Sequence, residues 1–186
     1  MNYNIPQPAI DLMQQELRKI QKHVPSAVIT GGFIRDSILG KKPKDIDIFF
    51  GYVDGDEELD YIMEDVGAVE LEGATYMPQD EVSRIWDCTE SKLPVQYIML
   101  QQGVDFKERV EQYDFGFCQC WYDGVQLHTT EAFRKDIAEN TMTLTFCEDS
   151  IQYNRSMRRA ARFKEKYPDR KLVVPDQFKK LGVLFV

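Results

Sequence analysis

At 186 residues the chain is long enough for one domain with a sizeable core, or for two small ones. Hydrophobic residues make up 43% of it, aromatic residues 12% and charged residues 29%, which excludes a disordered polar chain, and no apolar run approaches the roughly 20 residues a membrane helix needs. The formal net charge of −8 argues against a long nucleic-acid footprint but conceals a division: residues 1–150 carry 13 basic against 28 acidic side chains, and residues 151–186 carry 10 against 3.

Taken in chain order, residues 7–22 place Ile10, Met13, Leu17 and Ile20 at helical spacing behind prolines, which predicts an opening helix. Residues 27–30 (AVIT) read as a short buried strand that runs into Gly31-Gly32 and then a short helix, FIRDSIL, stopped by Gly40. A polar connection, KKPK, leads to DIDIFF (45–50), which alternates and then turns fully apolar, as a central strand does. Residues 54–66 are acidic and helical in pattern; 68–71, 81–87 and 93–100 read as strands and 104–111 as a short helix. FGFCQCWY (115–122) reads as a strand turned by Asp123-Gly124 into a returning strand, VQLHT. A threonine-capped helix (130–138), a strand (141–146) and a long basic helix (150–167) ended by Pro168 follow. The predicted class is α/β (α+β) with a mixed sheet.

The opening residues lack the basic-then-apolar order of a secretory signal, so a cytoplasmic location is expected. Cys88, Cys118, Cys120 and Cys147 have neither zinc spacing nor the pattern of a secreted framework, and are expected as reduced thiols; Cys118 and Cys120 would share a strand face. The basic tail, with Arg155, Arg158, Arg159 and Arg162, can attract a polyanion or lean on the acidic body.

Asp45 and Asp47 stand two apart on a predicted strand, so both side chains leave one face, roughly 7 Å apart along the chain. Magnesium takes hard oxygen ligands, usually one or two carboxylates together with phosphate oxygens, and a D-x-D strand supplies them. Upstream, Gly31 and Gly32 let backbone approach an anion, with a helix start behind them. Arg35 lies one turn into that helix, where a guanidinium suits a phosphate, and Asp36 can orient it or simply favour the helix start.

Residues 31–50, G-G-F-I-R-D-S-I-L-G-K-K-P-K-D-I-D-I-F-F, resemble the head-domain signature of tRNA CCA-adding enzymes and bacterial poly(A) polymerases, within the DNA polymerase beta-like nucleotidyltransferase superfamily. Asp114 to Gly124 is similar to the family's R-R-D-F-T-x-N-A segment and the Y-D-G after it, which contacts the ribose; Asp114 carries over, while the two arginines fall on Gln112 and Tyr113, the threonine on Gly116 and the asparagine on Cys118. Asp114 therefore stands as a ribose contact, a third metal carboxylate or a structural acid. R-R-A-A-R-F (158–163) resembles the family's neck helix, but its base-reading Asp and Arg fall on Tyr153 and Ser156, with Glu148-Asp149 a turn too early.

The resemblance spans about residues 25–165, and implies a nucleotidyltransferase head over 1–148 and a short basic neck over 149–186. It implies a metal-dependent transfer of a nucleoside monophosphate from a triphosphate to a nucleic-acid 3′ end or another hydroxyl, releasing pyrophosphate. Asp45 and Asp47 would be catalytic and hold two Mg²⁺ ions; Gly31, Gly32, Arg35, Asp114, Arg159 and Arg162 would bind nucleotide, and the basic segment an RNA end. Lys42 and Lys44 can add charge near the phosphates. The alternatives are a non-catalytic binding module on the same fold, acting as inhibitor or decoy, and nucleotidyl transfer to a protein side chain. Trp86, Tyr97, Phe117 and Trp121 are either base platforms or core, and His128 a plain strand residue. Which base is used, and the oligomeric state, are left open.

Overall fold

The computed structural model describes residues 3–71 and 81–183. Pro6 and Pro8 open α1 (Gln7–Gln21), where a missing N–H is tolerated, and its stripe Met13, Leu17 and Ile20 is fully buried. Glu16 is buried in the same stripe, its carboxylate held by Lys19 and by the Ser91 hydroxyl at 2.8 Å. β1 (Val28–Thr30), α2 (Gly32–Ile38) and β2 (Ile46–Phe50) follow. α2 ends where Gly40, at φ 64°, turns the chain so that the Lys41 N–H reaches back to the Asp36 carbonyl at 2.8 Å.

Next come α3 (Asp56–Asp65), β3 (Val69–Glu70), β4 (Val82–Cys88), β5 (Val95–Leu100) and α4 (Phe106–Glu111). β6 (Cys120–Tyr122) and β7 (Leu127–Thr129) form the predicted hairpin, whose loop is braced by Asp123 accepting the N–H groups of Val125 and Gln126, each at 2.8 Å. These strands make one seven-stranded mixed sheet in the order β3-β4-β5-β2-β1-β6-β7, so the fold is the expected mixed α/β class. β2 pairs antiparallel with β1 and parallel with β5, which makes it an interior strand.

The remaining elements are α5 (Glu131–Glu139), β8 (Thr141–Thr143), α6 (Ser150–Lys166), β9 (Lys171–Val173) and α7 (Asp176–Lys179). Thr130 caps α5 by accepting the Phe133 N–H, as predicted. Packing divides the chain into two units, Met1–Phe106 with Trp121–His128, and Lys107–Cys120 with Thr129–Val186.

The predicted strand over 115–122 is corrected. Only Cys120–Tyr122 is strand, and Gly116–Cys118 forms a 3-10 turn. The cause is Asp136, buried at 1% exposure, which draws in the Phe117 N–H at 2.9 Å; it also accepts the hydroxyls of Thr141 and Thr143 and the Thr143 N–H. A Cβ at position 116 would meet this carboxylate at 2.8 Å, so glycine is required. Cys118 and Cys120 consequently do not share a strand face. All four cysteines are buried and none is in a disulfide.

Candidate active site

The antiparallel ladder of β1 and β2 sets Val28 against Phe49, Ile29 against Ile48 and Thr30 against Asp47. Thr30 is the last residue before Gly31-Gly32, so the glycine turn and the second carboxylate of D-x-D meet on one rung. Gly31 takes φ 67° and ψ −111°, a conformation that a side chain would strain, before α2 begins at Gly32. Asp45 lies immediately before β2 and is exposed, while Asp47 is half-buried. Strand alternation fixes the face from which Asp47 leaves the sheet, and Asp45 precedes it by two positions, just outside the strand.

Arg35 is 5% exposed, and its Nε and Nη2 both donate to Oδ1 of Asp36, at 2.8 and 2.6 Å. A Cβ on Gly32 would come 3.8 Å from Nη2, so the guanidinium folds back over the start of α2 beside the glycine turn. The sequence role suggested for Asp36, orienting Arg35, is what the side chains do.

Two residues that the sequence reading did not single out lie on the same rung as Asp47. Register pairs Asp47 with Gln96 of β5, and Gln96 in turn with Asp87 of β4, where the Gln96 amide donates to Asp87 at 2.9 Å. In β5 the alternation sets Gln96 on one side with Ile98 and Leu100, but only the strand order brings it and Asp87 beside Asp47. One step along the same face, Val28, Phe49, Ile85 and Ile98 form an apolar floor, with Phe106 and Trp121 partly buried against it. Trp121 stacks flat on His128 at 4.9 Å and meets the edge of Phe106 at 5.9 Å, so its ring is already engaged on both counts. His128 also bonds Asp123 at 2.6 Å. Burial tends to raise the Asp123 carboxyl, but the N–H groups of Gln126 and Val125 and the His128 ring together hold it below the usual carboxylate range. Trp86 and Tyr97 are buried core residues.

A family model described as Gabija anti-defense 2 family protein matches residues 9–140. The chain belongs to the Gabija anti-defense 2 family. Among curated proteins none matches it. Among solved structures it is similar to the CCA-adding enzyme of Bacillus stearothermophilus in complex with CTP, at 15% identity and a TM-score of 0.65, over 92% of this chain and 42% of that one. The Thermotoga maritima CCA-adding enzyme complexed with tRNA is similar at 16% identity and a TM-score of 0.63, over 97% of this chain and 45% of that one. At such identities the likeness carries the fold, and this Gabija anti-defense 2 chain spans less than half the length of those enzymes.

In this Gabija anti-defense 2 protein the other predicted site residues lie in the second unit. Asp114 accepts Arg159 Nη1 at 2.7 Å and the Ser156 hydroxyl at 3.0 Å, and Arg159 also lies over the Phe163 ring. Asp149 caps α6 by accepting the Gln152 N–H at 2.7 Å. Arg162 is exposed on the outer side of α6. Phe117 is fully buried. No described helix is long and apolar enough to cross a membrane.

Proposed function

We propose that this Gabija anti-defense 2 protein is a metal-dependent nucleotidyltransferase that opposes the Gabija defense by transferring a nucleoside monophosphate to a hydroxyl acceptor, a nucleic-acid 3′ end in the first instance. The observation that carries the reading is the rung joining Thr30 to Asp47, which brings the glycine turn to a paired D-x-D on an interior strand.

The donor set fits magnesium. Two carboxylates two positions apart, with the outer one exposed, suit an ion that keeps substrate phosphates among its ligands. Asp45 and Asp47 would hold the ions, which when bound neutralise phosphate charge and favour the ionised form of an attacking hydroxyl. The Gly31-Gly32 backbone, with no side chain in the way, would admit the triphosphate. Arg35, held by Asp36, would add fixed positive charge beside it.

The deciding experiment is transfer of label from each α-labelled nucleoside triphosphate, with Mg²⁺, into RNA, tRNA, DNA ends and the Gabija proteins. Wild type is compared with Asp45→Ala/Asp47→Ala. Labelling that disappears in the double variant supports the reading and identifies the acceptor.

A second reading, a non-catalytic inhibitor on the same fold, is favoured by one observation. The positions that align with the two arginines of the ribose-contacting segment of CCA-adding enzymes hold Gln112 and Tyr113, and Asp114 is engaged by Arg159 and Ser156. Under it the double variant would oppose the Gabija defense in cells as well as wild type does.

A further inference from the structure

Four arginines sit on α6, and the fold uses only one of them. The inward side of the helix carries Ser156 and Ala160, each at 2% exposure, and Phe163 at 8%. Arg159 belongs to this side through Asp114. Arg155, Arg158 and Arg162 are exposed on the other side. Among the described residues none of the three makes an ion pair or a hydrogen bond.

At about 100° per residue, Arg155, Arg158 and Arg162 fall within an arc of about 60°, and the exposed Ile151 falls within it too. Like charges three and four residues apart repel and weaken a helix. The stripe therefore opposes helix stability and returns nothing to the packing, which points outward for its purpose. Its length answers to a polyanion: seven residues at about 1.5 Å each span about 10.5 Å, against one phosphate per about 3.4 Å of axis along a nucleic-acid strand. All three are arginines, whose planar forks grip phosphate oxygens in pairs. A membrane surface fits poorly, because the apolar side that would enter it is buried in the unit.

We infer that the outer face of α6 is a docking surface for the phosphate backbone of a nucleic-acid strand, with Arg155, Arg158 and Arg162 each meeting a phosphate. This deepens the transfer reading by giving the acceptor strand a place to bind. It is testable without transfer, so the two can fail separately.

The test is fluorescence anisotropy of the full chain with a 5′-labelled 20-nucleotide RNA and its DNA counterpart, without triphosphate or Mg²⁺, from 50 to 300 mM salt. Wild type should bind with a salt dependence that Arg155→Gln/Arg158→Gln/Arg162→Gln flattens by about 2 in log K against log salt, the share of three contacts to a single strand. The same loss of charge in Lys135→Gln/Lys171→Gln/Lys180→Gln should leave binding within about threefold of wild type. The triple lysine variant Arg155→Lys/Arg158→Lys/Arg162→Lys should keep the slope and bind more weakly, which guards against a glutamine variant that fails to fold. No binding by wild type, equal loss in both neutralised variants, or an unchanged slope in the arginine variant would overturn the inference. So would salt-sensitive self-association of the protein that depends on the three arginines, since an acidic face of a second copy would then be the occupant.

Discussion

Arg159 donates to Asp114 across 2.7 Å, and the pair ties α6 to the segment before the 3-10 turn. Asp114 also accepts the Ser156 hydroxyl, so both of its described partners come from α6. Replacing Arg159 with Ala should destabilise the chain by about 1–3 kcal/mol, toward the lower end because the guanidinium is partly solvated. Urea denaturation of Arg159→Ala, Asp114→Ala and the double variant gives the coupling directly. A coupling near zero would show that the contact is incidental.

Nucleoside triphosphate at 100 times its dissociation constant should stabilise wild type by about 2.7 kcal/mol in the presence of Mg²⁺. Asp45→Asn and Asp47→Asn should each remove that shift while leaving the melting temperature of the unliganded protein within a few degrees. An undiminished shift in Asp47→Asn would place the nucleotide elsewhere.

Gln96→Glu tests the rung. A carboxylate there would stand between Asp47 and Asp87, so the unliganded protein should lose about 0.2–1 kcal/mol per like-charged cross-strand neighbour. Titration calorimetry should show Mg²⁺ bound more tightly than by wild type. Weaker Mg²⁺ binding would indicate that position 96 does not face the metal.

The Tyr97 hydroxyl is fully buried and, among the described residues, has no hydrogen-bond partner; burial foremost, with Cys88 and Glu16 adding to it, pushes this phenol well above its ordinary range. Tyr97→Phe should therefore be neutral or stabilise by about 1 kcal/mol. A marked fall in melting temperature would reveal an internal water bonded to the hydroxyl.

Acid should act on the β6–β7 hairpin through Asp123. Its folded carboxyl titrates below the usual range, so its contribution to stability is complete above the unfolded value near 4 and is lost as pH falls through the lower folded value. Carboxyl NMR titration should find Asp123 below its neighbours, and Asp123→Asn should remove this part of the acid sensitivity. An ordinary titration midpoint at Asp123 would contradict the bracing of the turn.

Much of this was legible in the chain. Periodicity gave α1, the Thr130 cap gave α5, and the G-G to D-x-D stretch gave β1, α2 and β2 as one unit. Local pattern could not reveal what a distant side chain does to a backbone. FGFCQCWY has the composition of a strand, but Asp136 captures the Phe117 N–H from nineteen residues downstream and winds the segment into a turn. The same limit hid Gln96 and Asp87, whose relation to Asp47 exists only through strand order. It also hid the division of labour on α6, since nothing in R-S-M-R-R-A-A-R says that Arg159 alone turns inward.

The place of β2 inside the sheet governs how the candidate site can fail. Main-chain bonds on both flanks hold the strand carrying Asp47, whereas a site on an edge or a loop can loosen by itself. The Asp47 amide should exchange its hydrogen only on the timescale of whole-unit opening, and inactivation by heat should track the melting curve instead of preceding it.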